Sequence, residues 1–141
     1  MDSFRAVIID PERRTIEEVR LPPTLAAIRA LIPHAEDEGL DHFLLAEFDH
    51  SWDEGWVRDS GLCAGTPVHA FRLGGWHDPC AGRVVIVGVD CDSRHTCDAR
   101  ISLAFLQAQV TWLGLIQPEV TWVEEEHGVR AVVTYSRADG R

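Results

Sequence analysis

Between Glu36 and Asp59 the chain places nine acids against a single base, Arg58, and so gathers eight of its ten net negative charges in 24 residues. Like charge at this density repels itself, which costs stability but raises the local potential and speeds encounters with cations. Trp52 and Trp56 fall in the same window, and exposed tryptophans are common interface anchors. As a solvated face, the run serves solubility. As a working surface, it predicts a partner-binding set of Glu36, Asp37, Glu38, Asp41, Asp49, Trp52, Asp53, Glu54, Trp56 and Asp59, docking on an arginine- or lysine-rich surface. Glu47 belongs to the same run of charge.

The cysteines offer a second chemistry. His77 and Cys80 on one side, and Cys91, His95 and Cys97 on the other, look like two halves of a zinc site. A strand over 82–89 holds the halves apart by on the order of 30 Å at about 3.3 Å per residue. Zinc needs its ligands within about 2.3 Å. A different grouping passes that test. If 68–73 and 83–89 pair as a hairpin, residues whose numbers add to about 156 face each other, and Cys63 approaches the 91–97 segment. Cys63, Cys91, His95 and Cys97 are then the candidate metal set, three thiolates and an imidazole, although the spacing fits no standard finger. The plainer reading makes Cys63 a packed small hydrophobe and leaves the others in loops.

Nucleophilic catalysis needs a cysteine or serine beside a histidine held by an acid. The chain has no Gly-x-Ser-x-Gly elbow and no protease-like cysteine context. His50 with Asp49 and Asp53, or His77 with Asp78, reads as solvated loop, so no catalytic residue is assigned. Gly74-Gly75 precedes no helix and lacks the dinucleotide pattern.

Composition narrows the field further. The chain has 141 residues, 45% of them hydrophobic, enough for one ordinary core. All 13 basic residues are arginine, and lysine and asparagine are absent. Schiff-base chemistry, a phosphate-loop lysine and Asn-linked glycosylation are therefore excluded. A net charge of −10 opposes direct binding of nucleic acid. The first residues, MDSFRAVIIDPERR, lack a signal-peptide pattern, and no apolar run approaches the roughly 20 residues of a membrane span. A cytoplasmic protein with reduced cysteines is expected.

The elements that must position these residues read as follows. Residues 4–9 and 15–21 form a hairpin around Asp10-Pro11-Glu12-Arg13, whose residues suit a turn. Thr24 caps a short helix that Pro33 stops. Residues 42–48 read as a strand, 49–55 as a loop and 56–58 as the returning strand. Residues 68–73 form a strand, and the β-branched run 82–89 is the central one. Ile101, Phe105, Ala108, Trp112 and Leu115 mark one helical stripe over 101–115. Residues 120–123 and 129–135 make a last hairpin around Glu125-Glu126-His127-Gly128. The expected fold is α+β: a single domain over 1–141, a mostly antiparallel sheet built from hairpins with two helices packed on it, and 118–141 as an appended hairpin.

The Pro-flanked first helix together with "WDEGWVRDSG", "PVHAFRLGG" and "AGRVVIVGVD" resembles a family of small uncharacterised proteins, domains of unknown function, encoded by bacteriophages, plasmids and bacterial chromosomes. The likeness spans residues 4–113. It implies a mobile-element context and no activity, so it supplies no site residues.

Two expectations follow. The preferred one is a non-enzymatic interaction protein that binds a basic macromolecular surface through its acidic face, without contacting nucleic acid or membrane. Its most concrete form is an inhibitor of a nucleic-acid-binding defence protein. The alternative is a small Cys/His-dependent hydrolase or zinc enzyme.

Overall fold

The computed structural model describes residues 3–33, 38–58, 61–62, 65–76 and 78–138. Its core is organised around the β-branched run. β7 (Val84–Asp90) lies between β1 (Phe4–Asp10) and β4 (Ser51–Arg58), antiparallel to both. β2 (Thr15–Leu21) extends the sheet beyond β1, β3 (Leu40–Glu47) beyond β4, and the two-residue β8 (Thr96–Cys97) pairs with the end of β7. Side chains alternate across a strand. Val84 and Ile86 therefore face one way and Val85 and Val87 the other, and all four are buried. A strand covered on both faces has no polar side to show, which is why its sequence is continuously apolar.

Different layers cover the two faces. On one side, Val85, Val87, Phe4 and Ala6 meet Ile28 of α1 (Leu25–Leu31) and Ile32 just beyond it. The Thr24 hydroxyl accepts from the Ala27 amide at 3.2 Å and starts that helix. On the other side, Val7, Ile9, Val84 and Ile86 pack against Phe71, Leu73 and Cys80 of a second, four-stranded sheet. Its order is β10 (Gly128–Arg137), β9 (Val110–Glu125), β5 (Val68–Leu73) and β6 (Cys80–Ala81). The chain is thus mostly antiparallel sheet with two short helices, but it carries two sheets and not the one expected.

Three expectations need correction. Residues 51–55 are strand, not loop: only Asp49 and His50 form the turn, closed by the Phe48 amide on the Ser51 carbonyl at 2.8 Å. The helix over 101–115 is only α2 (Leu103–Gln109). Its buried residue is Leu106, whereas Phe105 is exposed, and the β-branched and aromatic run from Val110 to Trp112 pairs with β5 instead. The proposed hairpin between 68–73 and 83–89 does not form, because those strands belong to different sheets.

The last hairpin is built into the second sheet. Residues 110–116 of β9 pair with β5 and 116–125 pair with β10, so Ile116 alone has a strand on each side. Beyond it, β9 and β10 run on as a two-stranded arm.

Candidate binding cleft

The acidic run does not form one face. Glu36, Asp37 and Asp59 lie outside the described residues. Asp53, expected at the surface, is fully buried. Its carboxylate accepts from the Arg100 amide at 3.0 Å and the Ile101 amide at 2.8 Å, fastening the segment before α2 onto the sheet. Burial raises its pKa, against the lowering effect of those amides and of the Arg5 and Arg100 charges. Arg5 holds the same segment from the other side, donating to the carbonyls of Ala99 at 2.7 Å and Ile101 at 2.9 Å. Asp53 is therefore a structural pin and not a docking residue.

The other predicted residues divide between two places. Alternation along β4 puts Trp52, Glu54 and Trp56 on the α1 side of the sheet. There the Trp52 indole donates to Glu54 at 2.9 Å, the Arg94 guanidinium sits 5.3 Å from the Trp52 ring, and Trp56 stacks on His42. Both tryptophans are half-buried, and Trp56 packs against the α1 core cluster. Asp49 is exposed at the turn, with Glu47 beside it. Glu38 accepts from the Arg58 guanidinium at 3.1 Å.

The candidate metal set loses its geometric premise with the absent hairpin. Cys63 lies outside the described residues. Cys91, just after β7, and Cys97, on β8, are free thiols, and among the described residues no three of His, Cys, Asp and Glu are grouped to hold an ion. Burial, then Asp90, Asp53 and Asp98, pushes the Cys97 thiol up.

Asp41 belongs elsewhere, on the rim of a cleft of about 550 Å³ between the two sheets. One wall comes from the first sheet, with Asp41 and Phe43 on β3, Val57 on β4, and Arg58 at the end of that strand. The opposite wall is the arm: Val120 and Trp122 on β9 stand opposite Val133 and Ala131 on β10, so all four share one face. Trp76, Asp78 and Cys80 border the cleft between the walls. Phe43 can lie flat in its wall because its cross-strand partner is Gly55, where a Cβ would come within 2.3 Å of the Phe43 ring. Trp76 meets the same ring edge-on at 4.9 Å.

The cleft is aromatic, open and acidic at its rim. Trp122 is 68% exposed and Trp76 40%. Arg58, the only basic residue lining it among the described residues, is engaged by Glu38. The Cys80 thiol is pushed up to about 12 by burial, so it stays protonated near neutral pH and offers no nucleophile.

No family model, curated protein or solved structure matches the chain.

Sequence reasoning singled out Asp41 from this site but missed Phe43, Trp76 and Trp122. The available signal was the alternation in the last hairpin, where Val120, Trp122, Ala131 and Val133 fall on one face once the 125/128 turn sets the register.

Proposed function

We propose that the protein is a non-enzymatic interaction protein, and that this cleft takes a cationic side chain, preferably arginine, from a basic macromolecular partner. The observation that carries the reading is a cleft lined by Phe43, Trp76 and Trp122 and rimmed by Asp41, in which Arg58, the only lining cation among the described residues, is already engaged by Glu38. A cation over an indole face gains roughly 0.5–1 kcal/mol when exposed and about 2 kcal/mol or more when desolvated. Arginine suits such a site better than lysine, because its flat, weakly hydrated guanidinium stacks on rings and meets carboxylates with a rigid fork. A surface that normally holds nucleic acid presents arginines densely, so an enzyme acting on nucleic acid is the concrete partner class. The net charge of −10 adds long-range attraction toward it.

A titration with n-butylguanidinium, followed by the indole N–H signals in nitrogen-correlated NMR spectra, tests the reading. The Trp76 and Trp122 signals should move, Asp41→Asn should weaken the response, and the neutral isostere n-butylurea should move them far less. Equal shifts with the urea, or shifts confined to Trp52 and Trp56, would overturn it.

A further inference from the structure

The arm that walls the cleft also ends the second sheet, and its outer strand is a long free edge among the described residues. Sheet edges are normally blunted by charge, proline, bulges or brevity. β2 carries Glu17, Glu18 and Arg20, and β3 is broken by a register shift at Leu45. β6 has only two residues, and the outer part of β9 contains Pro118. β10 runs for ten residues in unbroken register with β9, without proline or bulge, and its charges are Arg130, which pairs with Glu125, and Arg137 at its far end.

We infer that β10 is an acceptor edge, and that the basic residue of the partner enters the cleft on an extended segment added to β10 as a further strand. This rests on the cationic cleft proposed above and names the form of the partner. Ala131 and Val133 both line the cleft and belong to this edge strand. A strand laid alongside at about 4.8 Å turns every second side chain onto that same face. The space for it is present: a groove of about 270 Å³ follows the consecutive residues Arg130 to Val133, with Asp78 bordering it. Charge selects the occupant. The face it would share with the cleft meets Asp41, whereas of the two arginines of β10 Arg130 stands on the other face paired with Glu125 and Arg137 lies at the far end opposite Ile116. Main-chain hydrogen bonds would supply affinity and the inserted arginine specificity, as in other strand-addition complexes.

The probe is an end-blocked heptapeptide of alternating threonine and valine with a central arginine, titrated into the intact protein by calorimetry. Two further peptides carry N-methyl groups on alternate amides, one on the odd and one on the even positions. A strand presents alternate amides to its neighbour, so one methylated peptide should lose about tenfold or more in affinity while the other binds like the parent. If both bind like the parent, or the parent binds no tighter than n-butylguanidinium, strand addition is overturned while the cleft reading stands. If n-butylguanidinium itself fails to bind, both readings fall together.

Discussion

Asp53 shows what a single carboxylate can do when the fold closes over it. The fold holds its proton more tightly than the unfolded chain does, since burial outweighs the amides and arginines that favour the charge. A raised acid pKa contributes stability that is fully present below the ordinary value of 3.8 and is lost as pH rises through the higher folded value. Asp53→Asn removes this titration and also sets an amide NH₂ against backbone donors, at a cost of about 1–3 kcal/mol. The advantage of the native protein over the variant should therefore be larger at about pH 4 than at about pH 7, measured by thermal unfolding at both. A constant difference would mean that the carboxylate stays charged throughout. Asp53 was illegible in the sequence because its neighbours Asp49 and Glu54 are accessible or half-buried while it is not, and only the strand's alternation separates them. Asp41 was legible as an acid, but not as one rim of a cleft whose other wall lies some eighty residues further along.

Among the elements, β7 carries the fold. Val85 faces α1 and Ile86 faces the second sheet, each fully buried. Val85→Asp and Ile86→Asp should each cost several kcal/mol by burying an unpaired charge, and circular dichroism should show loss of cooperative unfolding in both. Normal unfolding in either would remove that face from the core. This strand was readable from its residues because burial on both sides leaves only apolar types. β4 was not: the residues it turns toward the second sheet begin with Ser51, Asp53 and Gly55, polar or small, while Trp52 and Trp56 turn to the α1 side, so no apolar alternation shows at its start. The stripe past Gln109 misled for another reason. Trp112 and Leu115 fall at helical spacing with Ile101, Phe105 and Ala108 by accident, and the pairing of Val110 to Trp112 with β5 decides in favour of strand. Tertiary context overrides local preference there.

For the whole molecule, the charge of −10 acts at a distance and so belongs to encounter and not to packing. Reversing Glu47, the exposed last residue of β3, together with Asp49, exposed in the turn, should move stability by under about 0.5 kcal/mol for each change. It should slow association with the arginine heptapeptide at low salt. The difference from the native rate should fade as the screening length falls from roughly 8 Å at physiological ionic strength toward about 3 Å in molar salt. Stopped-flow tryptophan fluorescence reads both. Unchanged rates at low salt would reduce the acidic turn to a solubility device. Reversing Asp53 would be a different experiment, since a buried arginine there would break the fold before any encounter.

Ile116 is the last residue of β9 paired with β5; Gln117 still donates to the Gly65 carbonyl at 3.4 Å and Pro118 is buried, and beyond them the ribbon is two-stranded. Amides in such a ribbon exchange with solvent through local openings, whereas those of Val85 and Ile86 wait for global unfolding. The inclination of the arm sets the width of the cleft, so filling the cleft and holding the arm closed are one equilibrium seen from two ends. Saturating n-butylguanidinium should accordingly slow deuterium uptake at Trp122 and Val133 by the factor one plus ligand concentration over its dissociation constant, and leave β7 unaltered. Uptake in the arm that ignores the ligand would mean that the wall stands rigid before anything arrives.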